Sequence, residues 1–333
     1  MLRRVTLAGV ALIGAALLLL ASWPQLIGVQ RALPWAELTA MRGLIGVVAL
    51  AAAALLVIAG GASRRIRSLA ILLGVVYLGI VVLNVLVLSL RGFGPGPAAD
   101  AESGDVTVFS WNTLSSAVSA DIVTERAERT DADVIVLTET SREEAEIVVA
   151  LFDQQGRSFQ LFVHELDTAD PRFTAALLVS DELGAYRLLG SDGAPERMPA
   201  VIAVPVDGDG PTLIAAHPAA PIPAELELWQ AGIAWLAVQC DRPEVILAGD
   251  LNATLDHFAG LGAEGFELGH CRDAARGAGA GAIGTWPSTL PALLGAPIDH
   301  VLTSAGWQAV AVEIGEADAS DHRPLVAVLR PQD

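Results

Sequence analysis

Ser320-Asp321-His322-Arg323 and, about seventy positions earlier, Gly249-Asp250-Leu251-Asn252 each place an Asp and a second polar group at the border of an apolar run. Carboxylate, carboxamide and imidazole groups gathered in one place can hold a hard cation, activate water and donate to developing negative charge. Together they have what metal-assisted hydrolysis requires.

Strands must deliver these groups. Glu244-Val245-Ile246-Leu247-Ala248 precedes the first motif and Pro324-Leu325-Val326-Ala327-Val328-Leu329 follows the second, and both runs have the β-branched, apolar character of buried strands. Asp133 to Thr138 is a similar run ending in Glu139, Thr212 to Ala216 ends in His217, and Val106 to Trp111 ends in Asn112. Pro297 to Leu302 carries Asp299.

This ordered set resembles the endonuclease/exonuclease/phosphatase superfamily, the group that includes DNase I, abasic-site endonucleases, neutral sphingomyelinases and inositol polyphosphate 5-phosphatases. The resemblance covers residues 104–333 and implies a four-layered α/β-sandwich of two packed mixed sheets flanked by helices. It also implies hydrolysis of a phosphodiester or phosphomonoester by in-line attack of water, with Mg²⁺, or alternatively Mn²⁺, as cofactor.

Roles follow by the same resemblance. Glu139 matches the Glu that binds the metal, Asn112 positions the phosphate or a metal water, and Asp321 is a metal-side ligand. Asp250 orients or deprotonates the attacking water, and Asn252 hydrogen-bonds the phosphate. His322 faces the phosphate opposite the metal and is held by Asp299. His217 contacts the phosphate or protonates the leaving oxygen. Where abasic-site endonucleases have an acid two positions after the Asn, this chain has Leu114, which argues against that branch. Two local alternatives remain: Glu139 as a neighbour of a helix N-cap, and Asp250-Asn252 as an Asx-turn closing the strand rather than two side chains on one face of extended backbone.

The front of the chain is different. Apolar residues make up 53% of the whole and mean hydropathy is +0.52, too high for an ordinary soluble protein. Residues 5–22, 43–62 and 69–90 are uncharged apolar runs long enough to cross a bilayer as helices. The first has a second reading as a signal peptide. Domains are therefore expected at 1–91, a three-helix membrane anchor, at 92–103, a Gly/Pro-rich linker, and at 104–333, the catalytic domain. Arg3 and Arg4, then Arg64, Arg65 and Arg67 between the second and third runs, favour the cytoplasmic side. That sets the catalytic domain outside the cytoplasm in a multi-pass protein of the cell membrane, although Arg31 and Arg42 in the first loop weigh weakly against it.

Charge bears on substrate. Residues 101–333 hold 36 of the 38 acidic residues but only 12 of the 20 basic ones, all Arg, and so carry about −24. Duplex binding draws its affinity from phosphate neutralisation by a basic face. A lipid headgroup or small phosphoester is therefore expected ahead of nucleic acid, with an extracytoplasmic nuclease as the alternative and a non-catalytic binding module as a poorer one. The bilayer is the one partner inferred besides substrate. Cys240 and Cys271 are read either as a disulfide or as two buried thiols.

Other groups are expected outside the chemistry. His300 should face away from Asp299 as a buried structural residue, while His164, His257 and His270 are read as surface or turn residues. Arg172 and Arg197 are read as solvated, Gly277 to Gly284 as a flexible loop, and Trp286 as either a cleft wall or a buried loop residue.

Overall fold

A computed structural model describes residues 2–94, 102–166, 170–190, 193–263 and 265–332, with the side chains of 2–5, 7, 8 and 11 left aside. Four helices come first: α1 (Leu2–Ser22), α2 (Trp35–Ala40), α3 (Arg42–Ala62) and α4 (Arg67–Arg91). By length and composition α3 and α4 can each cross a membrane, and the further apolar helical stretch of the described residues is Leu12–Ser22. Of the expected linker, residues 95–101 lie outside the described residues.

The rest is a sandwich. The first half supplies β1 (Val106–Asn112), α5 (Ala120–Arg129), β2 (Val134–Thr138), α6 (Arg142–Gln154), β3 (Phe159–Glu165), β4 (Thr174–Ser180), β5 (Tyr186–Leu188), β6 (Ala200–Pro205) and β7 (Thr212–Ala216). The second supplies α7 (Leu226–Gln239), β8 (Val245–Asp250), α8 (Leu255–Phe258), β9 (Arg272–Asp273), α9 (Ala274–Gly277), β10 (Asp299–Thr303), β11 (Trp307–Ile314) and β12 (Leu325–Pro331). They form two six-stranded sheets, in the orders β11-β12-β1-β2-β4-β3 and β5-β6-β7-β8-β10-β9.

Period-two alternation explains why these strands are apolar on both faces. In β1 and β2, Val106, Val108, Val134 and Val136 point between the sheets to meet Leu213, Ala215, Ile246 and Ala248. Phe109, Trp111, Ile135 and Leu137 point outward under α5 and α6, against Val123, Val148 and Phe152. On the other sheet Ile202, Ile214 and Leu247 pack under α7 against Trp229, Ile233 and Leu236. The layers are helix, sheet, sheet, helix, as expected from the sequence. Cys240 and Cys271 form a disulfide that ties the end of α7 to the approach to β9.

The N-terminal helices are docked against the sandwich. Asp256, fully buried in α8, meets Arg42 at 2.6 Å and Arg91 at 2.9 Å. Arg42 also donates to Asn84 Oδ1 at 3.2 Å, and Asn84 donates to Ser22 Oγ at 2.8 Å, so polar contacts run from α8 through α3 and α4 to α1. Arg31 donates to the carbonyls of His257 (2.7 Å) and Ala259 (2.8 Å). At Gly43 a Cβ would collide with the carbonyl oxygen of Leu293, so this first turn of α3 can approach the sandwich only as glycine.

Three expectations are corrected, the first two by this docking. His257 is not at the surface: it is buried, its Nδ1 accepts from Thr254 N–H at 2.8 Å, and its Nε2 therefore donates to Ala36 O at 2.9 Å. Gly277 to Gly284 is not a free loop, since Gly281 N–H and Ala282 N–H donate to the carbonyls of Arg91 and Gly92. His164 lies within β3, its Nδ1 against the Ala200 backbone at 3.0 Å. His270 is exposed as expected.

Candidate active site

Topology converges the chemistry. β1 runs parallel to β2 with Asn112 opposite Thr138, so Asn112 and Glu139 emerge together at the C-terminal ends of the pair. In the second sheet β7 runs parallel to β8, which brings His217 and Asp250 to the same end. β10 runs antiparallel to β8 with Asp299 opposite Asp250, so its first residue joins them. The turn before β12 adds Asp321 and His322, because β12 pairs antiparallel with β1 and begins beside Ser110.

Side chains stitch the two sheets together there. Asn112 Nδ2 donates to Glu139 Oε1 and to Asp250 Oδ2, both at 3.0 Å. His217 Nδ1 faces the carbonyl of Asp250 at 3.1 Å, an atom that can only accept, so Nδ1 carries a proton; Nε2 lies 3.5 Å from Glu139 Oε1. His322 Nδ1 is 2.8 Å from Asp299 Oδ2, and its Nε2 is 3.6 Å from Asp250 Oδ2. Asp321 Oδ2 accepts from Trp286 Nε1 at 2.9 Å, and Oδ1 is 3.9 Å from His322 Nε2.

Local backbone is bent to achieve this. Glu139 has φ of 54° and Leu114, Ser115 and Ser116 are also left-handed, conformations that cost a non-glycine residue energy and cluster at functional sites. At Gly249 a Cβ would collide with the Ala216 carbonyl oxygen, so glycine is what lets β8 lie this close to β7 beside His217.

One geometric expectation fails. Asp250 and Asn252 do not project from extended backbone: Asn252 has φ of 49° and its N–H donates to Asp250 Oδ1 at 2.8 Å, which is the Asx-turn. The turn still leaves both residues on the cavity, with Asn252 Nδ2 donating to Pro218 O at 3.1 Å.

Electrostatics separate the carboxylates. Burial alone would raise Glu139, but hydrogen bonds from His217 and Asn112 and the charge of His217 hold it at about 2. Asp250 goes the other way: burial raises it, His322 opposes, and the Asp299 charge raises it further. Burial would lower both site imidazoles. Asp299 and Asp250 outweigh that for His322 and bring it to about 10, while Glu139 and Asp250 raise His217.

Seven of the eight predicted residues, all but Asp321, are in one network of hydrogen bonds and charge contacts, and Asp321 joins its edge through His322. All except Asn112 and Asp299 line a single cavity of about 700 Å³; those two are buried. His300 faces the other way, between Asp273 at 2.7 Å and Ala253 O at 2.8 Å, as expected. Arg172 and Arg197 line the cavity but are paired, with Asp170 at 2.7 Å and Glu225 at 3.6 Å.

Several supporting residues were not anticipated. Ser320 Oγ donates to the Asn112 carbonyl at 2.7 Å and accepts from His322 N–H at 3.0 Å, locking the last turn onto β1. Thr285 Oγ1 accepts from the N–H groups of Ile298 and Asp299, each at 3.2 Å. Ser320 stands within the quoted motif and was open to notice; nothing local marks Thr285.

The sequence profile of the Endonuclease/Exonuclease/phosphatase family matches residues 109–322, and the chain belongs to that family. It is a metal-dependent phosphoester hydrolase with the DNase I-like fold. Solved structures agree on the fold: TDP2 from C. elegans (TM-score 0.52, 16% identity, 70% of this chain and 77% of that one) and a humanized D. rerio TDP2 (0.54, 15%, 68% and 100%). A third is D. rerio TDP2 complexed with single strand DNA product (0.53, 14%, 69% and 100%). No curated protein matches the chain.

Proposed function

We propose that this chain is a multi-pass membrane phosphoesterase whose catalytic domain stands outside the cytoplasm and hydrolyses a lipid headgroup or small phosphoester. The observation that carries it is the Asn112 bridge between Glu139 and Asp250 beside the Asp299-His322 pair, set in a cavity shared with the anchor helices.

Asp250, held by Asn112 and the Asn252 N–H, orients water and takes its proton. His322, fixed by Asp299, donates from Nε2 to the phosphoryl oxygens, Asn252 positions the ester, and Asn112, with both Nδ2 protons engaged, holds Glu139 and Asp250 in place. His217 supplies a proton to the leaving oxygen. Asn112, Glu139 and Asp321 suit a hard cation: Glu139 is ionised and Asp321 Oδ1 is a buried oxygen without a hydrogen-bond partner. Asp250, Asp299 and His322 also lie close enough to hold an ion, but Nδ1 of His322 is already engaged by Asp299. Mg²⁺ or Mn²⁺ held by these residues would supply Lewis-acid polarisation of the phosphoryl oxygens.

The domain boundaries at 91 and 104 and the orientation rest on the helices. Only 22% of the apolar window of α3 and 33% of that of α4 is buried, unlike core helices of a soluble protein. Arg42 at the start of α3 and Arg91 at the end of α4 grip the same carboxylate, so the link bearing Arg64, Arg65 and Arg67 lies a helix length away, about 30 Å, one hydrocarbon thickness. Arg31 and Arg42, which opposed this orientation in the sequence, are bound to the catalytic domain.

The test is metal-dependent hydrolysis by the full chain in detergent on a phospholipid panel, an aryl phosphodiester and plasmid DNA, with Asp250→Ala as blank. Lipid or small-ester turnover lost in the variant supports the proposal. DNA cleavage with a steep salt dependence would favour the nuclease reading, for which the position of His217 speaks.

A further inference from the structure

Part of the cavity wall belongs to the anchor. Glu37, Ala40 and Met41, from α2 and the turn into α3, line the same space as His217, Asp250 and His322. α2 is fixed there, because Ala36 O accepts from His257, Arg31 binds the carbonyls of His257 and Ala259, and Arg42 binds Asp256. The connection that carries α2 joins two apolar helices and exposes Leu26, Ile27 and Leu38. Leu293, whose backbone touches Gly43, is also exposed, as is Ile222 on the cavity wall.

About 700 Å³ is far more than one phosphate fills, so the space left over must suit the remainder of the substrate. That remainder would meet hydrocarbon: Ala40, Met41, Pro218, Pro221 and Ile222. It would also meet Glu37 and Glu225, and the two arginines present are already paired, which disfavours a polyanion.

We infer that this wall binds the hydrocarbon chain of the substrate: the site acts on a phosphoester bearing an acyl or alkyl chain, which α2 admits from the bilayer. The inference rests on the membrane-anchored phosphoesterase reading above and adds a substrate class and residues that select it.

Alkyl phosphonates have no ester to cleave, so they report binding without turnover. With the full chain in detergent, calorimetry should show n-dodecyl phosphonate binding about 100-fold tighter than n-butyl phosphonate, the effect of burying about three to four of the eight additional methylenes at roughly fourfold each. Met41→Glu and Ile222→Asp should each reduce that ratio to below about tenfold. Leu188→Asp, at an exposed apolar position of β5 outside the cavity, should leave it unchanged and controls for partition into detergent. Equal affinity for the two phosphonates, or a preference that persists in both variants, overturns the inference. Turnover of an aryl phosphodiester without chain preference leaves the activity standing and removes the tail site. Chain preference without turnover does the reverse.

Discussion

Nδ1 of His322 lies 2.8 Å from Oδ2 of Asp299, on strand β10, which pairs with Asp250 of β8. Burial by itself would lower the imidazole, but Asp299 and Asp250 raise it from 6.5 to about 10. The folded value exceeds the unfolded one, so this contact stabilises fully below about pH 6.5 and its contribution is lost as pH rises through about 10. The alkaline limb of kcat/KM should fall in that window, and Asp299→Asn should move it to lower pH. A profile unchanged in Asp299→Asn would show that Asp299 does not set the charge of His322.

Asp250→Asn separates chemistry from folding. The buried carboxyl is pushed up by burial and by Asp299, so its charge is a burden on the fold at neutral pH. The amide keeps an acceptor for the Asn252 N–H. Turnover should drop by about 10²- to 10⁴-fold, while the thermal midpoint stays level or rises. A lowered midpoint would point to a structural role instead.

Glu139 is held near 2 and so remains a carboxylate across the working range; its stabilising contacts are lost only as pH falls from about 4.5 through about 2. Chelation should abolish activity. Glu139→Gln should raise the Mg²⁺ or Mn²⁺ needed for half activity by at least the roughly 10- to 100-fold that even outer-sphere changes cause. Metal should raise the melting temperature of the wild type and not of the variant; an equal rise in both would place the ion elsewhere.

Asp256→Ala leaves Arg42 and Arg91 buried without a counter-charge. Breaking such a pair costs about 3–5 kcal/mol, to be read from denaturant unfolding in detergent. Replacing all three, Arg42→Met, Arg91→Met and Asp256→Leu, should restore most of the loss. A single variant as stable as the wild type would show that the helices dock by apolar contact alone.

The strands were legible because each is apolar on both faces and ends in a polar residue: β1 spans Val106–Asn112, as the alternation from Val106 to Asn112 implies. The site was legible because its residues stand at those ends. Asp256 and His257 were not, because their partners Arg42, Arg91 and Ala36 lie more than 160 positions away and belong to what composition marks as another domain. Asn252 misled for a different reason, since its left-handed φ is set by the Asp250 side chain rather than by strand geometry. Sequence left the cysteines open because spacing fixes no distance; the fold joins them.

Two arginines at the ends of antiparallel helices, closed on one aspartate four residues beyond the Asx-turn, make a ruler. If α3 and α4 cross a bilayer, the distance between the lipid surface and Asp250 is set by the helix ends rather than by a tether's reach. Lengthening residues 95–101 would then leave the enzyme at the same height, whereas shifting Arg42 or Arg91 by one helical turn would move its working plane by about 5 Å.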